Sequence, residues 1–230
     1  MKIHGLMKMT LLDFPGKVAC TVFLGGCDMR CPFCHNAELL DPEAPAEMDE
    51  VELLSFLNKR IGLLDGVVFT GGEPLLRKEL PELMGKIHEM GFAIKLDTNG
   101  NHPERLIEVV EAGLVDYVAM DIKNSPDKYG ITIGIPQFDI SKVKRSVEFL
   151  LTGKVPYEFR TTVVSQFHDE ESMREIAKWI QGADRYYLQE FVDRDTVKYG
   201  GLTACSKDQM NAFLEIVKTS VKLVELRGVS

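Results

Sequence analysis

The chain has 230 residues, 45% hydrophobic and 27% charged, a composition that excludes a disordered chain and fits one domain with a core of its own. Its 27 Lys and Arg against 35 Asp and Glu leave a net charge of −8, which argues against a general nucleic-acid binder, whose affinity comes from neutralising phosphates. The five cysteines are odd in number and three fall between residues 27 and 34, whereas a disulfide framework would be even and spread out, so the pattern points to metal or redox chemistry in a reducing, cytoplasmic setting.

In chain order, residues 1–16 read as an N-terminal extension, broken by Asp13, Pro15 and Gly16 before a targeting signal could form. The best apolar run, 18–24, is far too short to span a bilayer. Strands are predicted at 17–24, 66–70, 92–97, 116–121, 157–164 and 185–190, with a last short one at 222–226. Between them lie helical stripes: Val51, Leu54, Leu57 and Ile61; Leu80, Leu83, Ile87 and Met90; Leu106, Ile107 and Val110 behind Pro103; Ile140, Val143, Val147 and Leu150. Met173, Ile176, Ala177 and Ile180 repeat the spacing behind the acidic residues 169–171, as do Met210, Phe213, Leu214 and Val217. Alternation of this kind predicts an α/β domain over 1–230 with a parallel sheet and crossover helices. Six β/α units fill 17–190, and a helix and strand occupy 191–230. Periodicity does not separate an open doubly wound sheet from part of a barrel, but both place chemistry at the carboxyl ends of the strands.

The first such end reads GGCDMRCPFCHN over 25–36, which spaces Cys27, Cys31 and Cys34 as C-x3-C-x2-C. Soft thiolates on one short loop suit an iron–sulfur cluster or zinc. Three ligands on a four-iron cube leave one iron open to an outside ligand. Other readings stay available. Residues 31–35 match the C-x-x-C-H haem attachment pattern, which would require export and leave Cys27 idle. A zinc site of Cys27, Cys31, Cys34 and His35 would take two ligands from adjacent residues. A thioredoxin-like C-x-x-C also ignores Cys27.

Later strand ends carry further polar groups. TGGEP at 70–74 offers Gly71 and Gly72, which let backbone approach a ligand, and the Glu73 carboxylate. LDTNG at 96–100 places Asp97, Thr98 and Asn99 where a turn and helix cap would also put them. Asp121 and Lys123 alternate with apolar neighbours and so face one side, as an ion pair at the least. Arg160, inside a β-rich run, needs either a ligand carboxylate or an interior salt bridge to Glu73 or Asp121. Cys20, the ten methionines and Trp179 read as packing, His168 as a residue at a helix start or in chemistry, and Cys205 carries no assigned role.

The loop 25–36, with the aromatic Phe33 before its third cysteine, resembles that of the radical S-adenosylmethionine (SAM) superfamily. LLDFPGK at 11–17 and His35–Asn36 resemble more narrowly the glycyl-radical-enzyme activating proteins, above all the long activating proteins of anaerobic ribonucleoside-triphosphate reductase. The similarity runs over essentially the whole chain. It implies a partial (β/α)6 TIM-like barrel and an oxidoreductase with a [4Fe–4S] cluster on Cys27, Cys31 and Cys34. SAM would chelate the open iron, and an electron from flavodoxin or ferredoxin would cleave it to methionine and a 5′-deoxyadenosyl radical. That radical would take hydrogen from a glycine Cα of a partner enzyme. The resemblance further implies that Phe33, His35, Gly71, Gly72 and Glu73 surround SAM, with the GGEP turn at its amino group. Asp97 and Thr98, beside Asn99, would bind a monovalent cation next to SAM. Asp121, Lys123 and Arg160 would serve the SAM carboxylate or the glycine site. Pyruvate formate-lyase activators carry a histidine after the sixth strand; here 188–193 has none, and Gln189 is the polar substitute. Rivals within the superfamily are an activator of another glycyl radical enzyme and a carboxy-deazaguanine synthase acting on a small molecule, which tends to follow the third cysteine with Asp–Thr rather than His–Asn. A rival outside it is a non-catalytic zinc or Fe–S module, which needs neither GGEP nor LDTNG. No nucleic-acid or membrane partner is expected.

Overall fold

Runs such as Val67, Val68, Phe69 and Val118, Ala119, Met120 are buried throughout, the pattern of parallel strands covered on both faces. The computed structural model describes residues 1–229. Among these residues the strands and helices are β1 (Lys2–Ile3), β2 (Gly5–Thr10), β3 (Ala19–Leu24), β4 (Met48–Asp49), α1 (Glu50–Asn58), β5 (Gly66–Gly71), α2 (Leu80–Glu89), β6 (Ala93–Thr98), α3 (Pro103–Glu111), β7 (Tyr117–Asp121), α4 (Tyr129–Thr132), α5 (Ser141–Leu151), β8 (Tyr157–Val163), α6 (Glu170–Trp179), β9 (Arg185–Glu190), α7 (Lys207–Lys218) and β10 (Leu223–Arg227). Eight strands form one sheet in the order β10-β9-β8-β7-β6-β5-β3-β2, while β1 pairs only with β4.

All neighbours from β3 to β10 pair in parallel, so the strand at the C-terminal end extends the same sheet beyond the six units expected. The segment 1–16, read as an extension, supplies β2, which closes the other edge antiparallel to β3. Leu12, Asp13 and Pro15, from the connection after β2, line the same cavity as Tyr187 of β9 and Arg227 of β10. Residues from opposite ends of an eight-stranded sheet can meet this way only if the sheet curls, so the architecture is a partial barrel with β2 and β10 as unpaired edges. Glu158 of β8 ties β10 to the barrel: Arg227 grips it with two bonds, at 2.9 and 3.1 Å, and Tyr117 donates to it at 3.0 Å.

The helices carry the caps that their sequences advertise. Asp49, Asp169 and Ser206 each close a capping box at the starts of α1, α6 and α7, and Pro103 opens α3. The first stripe differs from the expected one. Val51 is 74% exposed and Ile61 53% exposed, beyond the end of the helix, while Leu53 and Leu57 are buried. Leu57 is buried as expected, but its companion on the buried face is Leu53, four residues before it, rather than Val51, and docking of the helix on the sheet makes that choice. No helix among the described residues is long and apolar enough to cross a membrane.

Candidate active site

The loop 25–36 leaves the carboxyl end of β3 and is clamped to the end of β5 by main-chain bonds. Gly72 N–H donates to Leu24 O and Glu73 N–H to Gly26 O, both at 2.8 Å. A Cβ on Gly72 would lie 2.1 Å from Gly26 O, and Gly71 has φ +117° with Leu24 O 2.4 Å from its would-be Cβ. The glycines expected to make room for a ligand are thus required first by this strand-to-loop contact. Cys27, Cys31 and Cys34, all free thiols, line one cavity of about 230 Å³. Burial pushes the Cys27 thiol up to about 12 and that of Cys31 to about 11. Met29 N–H points at Cys27 Sγ from 3.4 Å, and Asn99 Nδ2 approaches the same sulfur at 3.9 Å.

Side chains outside the motifs hold the loop in place. Asp28 accepts hydrogen bonds from Asn99 Nδ2 at 2.9 Å and Asn101 Nδ2 at 2.6 Å, and pairs with His102 Nε2 at 3.0 Å. Burial alone would raise the Asp28 carboxyl, but these bonds hold it well below the usual range. Asn36 donates to Gly71 O at 3.1 Å. His35 lines the cavity, its ring stacked on Phe191 and its Nε2 2.8 Å from Val192 O. Phe33 is buried in the wall against Phe167.

The neighbouring strand ends contribute a row of charges. Lys95, Asp97, Arg160, Asp121 and Lys123 alternate in sign. Lys95 Nζ contacts Asp97 Oδ1; Arg160 Nη1 contacts Asp97 Oδ2 at 3.2 Å; Arg160 Nε contacts Asp121 Oδ1 at 3.0 Å; Lys123 Nζ contacts Asp121 Oδ2 at 2.8 Å. Three cations face two carboxylates, so the row keeps one positive charge in excess. Burial opposes ionisation of Asp121, yet Arg160 and Lys123 hold it at about 2. Arg160 therefore takes the Asp121 partner foreseen for it and adds Asp97. It does not meet Glu73. Glu73 is fully buried and turned away from the cavity: it accepts from Leu75 N–H at 3.0 Å, Thr98 Oγ1 at 2.9 Å and Asn99 N–H at 2.7 Å. Burial raises its carboxyl. His168, buried, sits 3.0 Å from Lys123 O through Nε2 and so backs the row.

Lys95, Asp28, Asn101 and His102 were not singled out from the sequence. Lys95 had a readable signal, since it lies two residues before Asp97 and a strand places such pairs on one face. Gln189, Asn99, Gly71 and Gly72 line the cysteine cavity. A second cavity, of about 500 Å³, continues from it: Asp97, Arg160 and Gln189 line both, and the further one reaches Leu12 and Arg227 at the open edges of the sheet.

A model of the radical SAM superfamily matches residues 21–180. The chain belongs to that superfamily. Its members are enzymes, and the family implies a [4Fe–4S] cluster and SAM. Among relatives, a Methanocaldococcus jannaschii protein provisionally named glycyl-radical enzyme activating enzyme is 30% identical over 99% of this chain and 96% of its own. The 7-carboxy-7-deazaguanine synthase of Thermococcus kodakarensis is 32% identical over 46% of this chain and 49% of its own. Among solved structures, a domain of a pyruvate-formate lyase-activating enzyme from Bacteroides vulgatus superposes with a TM-score of 0.59 at 18% identity, over 71% of this chain and 99% of that one. That likeness concerns the fold.

Proposed function

We propose that this radical SAM enzyme activates a glycyl radical enzyme, with anaerobic ribonucleoside-triphosphate reductase as the partner and flavodoxin or ferredoxin as the electron donor. One observation carries the reading: a single cavity gathers the three free thiols, the glycine turn and the charged row. The match to the Methanocaldococcus jannaschii relative over nearly the whole of both chains favours the activating branch. The likeness to the deazaguanine synthase covers under half of this chain.

The donor set suits the implied cluster. Among the described residues no three His, Cys, Asp or Glu side chains converge to hold a single metal ion, whereas thiols spread around one cavity, with N–H groups directed at sulfur, are what a multi-iron cluster requires. When bound, cluster and SAM supply one-electron cleavage of the sulfonium and the radical that takes hydrogen from a glycine Cα. Cys27, Cys31 and Cys34 are the residues that would hold the cluster. The excess positive charge of the row receives the SAM carboxylate. Arg160 is the residue that meets it, because Nη2 makes no hydrogen bond to protein among the described residues. Lys123 adds a second donor at the cavity wall. Gly71 and Gly72 keep the wall beside the methionine end free of side chains. Glu73 and His35 act as positioning residues, Glu73 through Thr98 and Asn99 and His35 through Val192. The second cavity is the route for a glycine-bearing loop from the open edge towards Gln189 and Arg160.

The test is anaerobic reconstitution with iron and sulfide, followed by SAM and dithionite. 5′-Deoxyadenosine is expected, and its absence from protein with a full cluster would overturn the mechanism. Incubation with the reductase should give a glycyl radical signal in electron paramagnetic resonance. SAM-dependent turnover of a deazaguanine precursor with no glycyl radical on the reductase would move the chain to the small-molecule branch. One zinc and no sulfide would make it a non-catalytic module.

A further inference from the structure

The resemblance implies a monovalent cation held by Asp97 and Thr98 beside SAM, but the groups present do not suit one. Thr98 is buried, and its hydroxyl donates to Glu73 Oε1 at 2.9 Å while accepting from Gly100 N–H at 3.1 Å. Both Asp97 oxygens are engaged by cationic side chains, Oδ1 by Lys95 and Oδ2 by Arg160. Sodium or potassium would have to gather oxygens next to an ammonium and a guanidinium that repel it.

Lys95 is 1% exposed. A lysine so placed keeps its charge only by pairing, and its position two residues before Asp97 on β6 puts both on the lumen side of the sheet. Its ammonium sits where a bound cation would neutralise Asp97. We propose that Lys95 is a built-in cation: it takes the place of a monovalent metal ion at Asp97, holds that carboxylate in position to orient Arg160, and frees the SAM site from any need for potassium or sodium. The role of the site in SAM binding rests on the function proposed above; the exclusion of the metal ion rests on Lys95 and Asp97 alone.

Removing the ammonium should create the missing site, because it leaves Asp97 Oδ1 without its cation at the wall of the larger cavity, from which ions and water can reach the carboxylate. The experiment uses the full chain, anaerobically reconstituted, in choline chloride and in potassium chloride at equal ionic strength. Wild type should bind SAM with the same affinity in both and should bind no thallium(I), used as a potassium probe read by thallium NMR without SAM. Lys95→Met should bind SAM at least about tenfold more weakly in choline, recover with potassium, and bind one thallium ion. Lys95→Arg, which keeps a charge, should remain indifferent to the salt, and it guards against loss of folding in Lys95→Met. Potassium-dependent SAM affinity or stoichiometric thallium in wild type would overturn the proposal, as would a folded Lys95→Met protein indifferent to potassium and thallium. If no protein binds SAM, the proposed function fails while the thallium measurement still decides the role of Lys95.

Discussion

Replacing Gly72 by alanine tests how the cysteine loop is seated. The added Cβ would lie 2.1 Å from Gly26 O, 2.7 Å from Gly26 C and 3.2 Å from Leu39 O, all main-chain atoms that no rotamer change can move. Since Cβ contacts under 3.0 Å essentially never occur, the backbone must give by 0.9 Å or more. That shift strains or breaks the bonds Glu73 N–H to Gly26 O at 2.8 Å and Gly26 N–H to Leu39 O at 2.7 Å. Overpacking costs about 1–3 kcal/mol, and each of the two bonds lost another ~1–3 kcal/mol, so a loss of roughly 3–9 kcal/mol is expected against a total stability of roughly 5–15 kcal/mol. At about 2–4 °C per kcal/mol for a chain of this size, the melting temperature should fall by at least about 6 °C. Gly26 precedes Cys27, so the reconstituted variant should also retain much less iron and sulfide than wild type. Gly85→Ala is the control: its Cβ would meet only Leu114 Cδ2, at 3.9 Å, within α2, and the change should leave iron content intact and raise stability by up to about 1 kcal/mol. A Gly72→Ala protein with wild-type melting temperature and iron content would refute the reasoning.

Cys31→Ala should abolish the visible cluster absorbance and 5′-deoxyadenosine formation, whereas Cys20→Ala and Cys205→Ala, at buried thiols away from the cavity, should retain both; loss of the cluster in Cys20→Ala would undo the ligand assignment. Arg160→Met should weaken SAM binding at least about tenfold and destabilise the fold by only about 1–3 kcal/mol, since Asp97 and Asp121 each lose one cationic partner but keep a lysine; calorimetry showing unchanged SAM affinity would remove Arg160 from the site. Asp121 sits at about 2 in the folded chain against an ordinary 3.8. The unfolded chain therefore takes up its proton first as pH falls, and the stabilisation is complete above about pH 4 and lost towards pH 2. Urea unfolding of wild type and Asp121→Asn should show a stability gap that is constant above about pH 4 and closes towards pH 2; a gap unaffected by pH in that window would contradict the assignment.

The elements legible in the sequence are those set by local chemistry. β9 starts and ends where the apolar pattern predicts, and α3 opens on Pro103. The three cysteines had to share a cavity, because so few residues separate them. The stripe on α1 was misread because two stripes fit the same helical period, and only docking against the sheet buries Leu53 rather than Val51. Residues 1–16 carry too little alternation to announce β2, which gains its place by pairing with β3. Glu73 was expected at the ligand, yet its neighbours turn it inward, because three buried donors need an acceptor more than the cavity does.

By itself the sequence determined the α/β alternation, the thiol loop and the polar residues waiting at successive strand ends, since each depends on spacing along a short stretch of chain. The tertiary structure decided which charges meet. Asp121 lies beside Arg160 only through the register of β7 with β8, and Asp97 is shared by Lys95 and Arg160 only because β6, β7 and β8 bend around one lumen. Registers between strands from separate β/α units are set by packing over long sequence separations, and no local pattern encodes them.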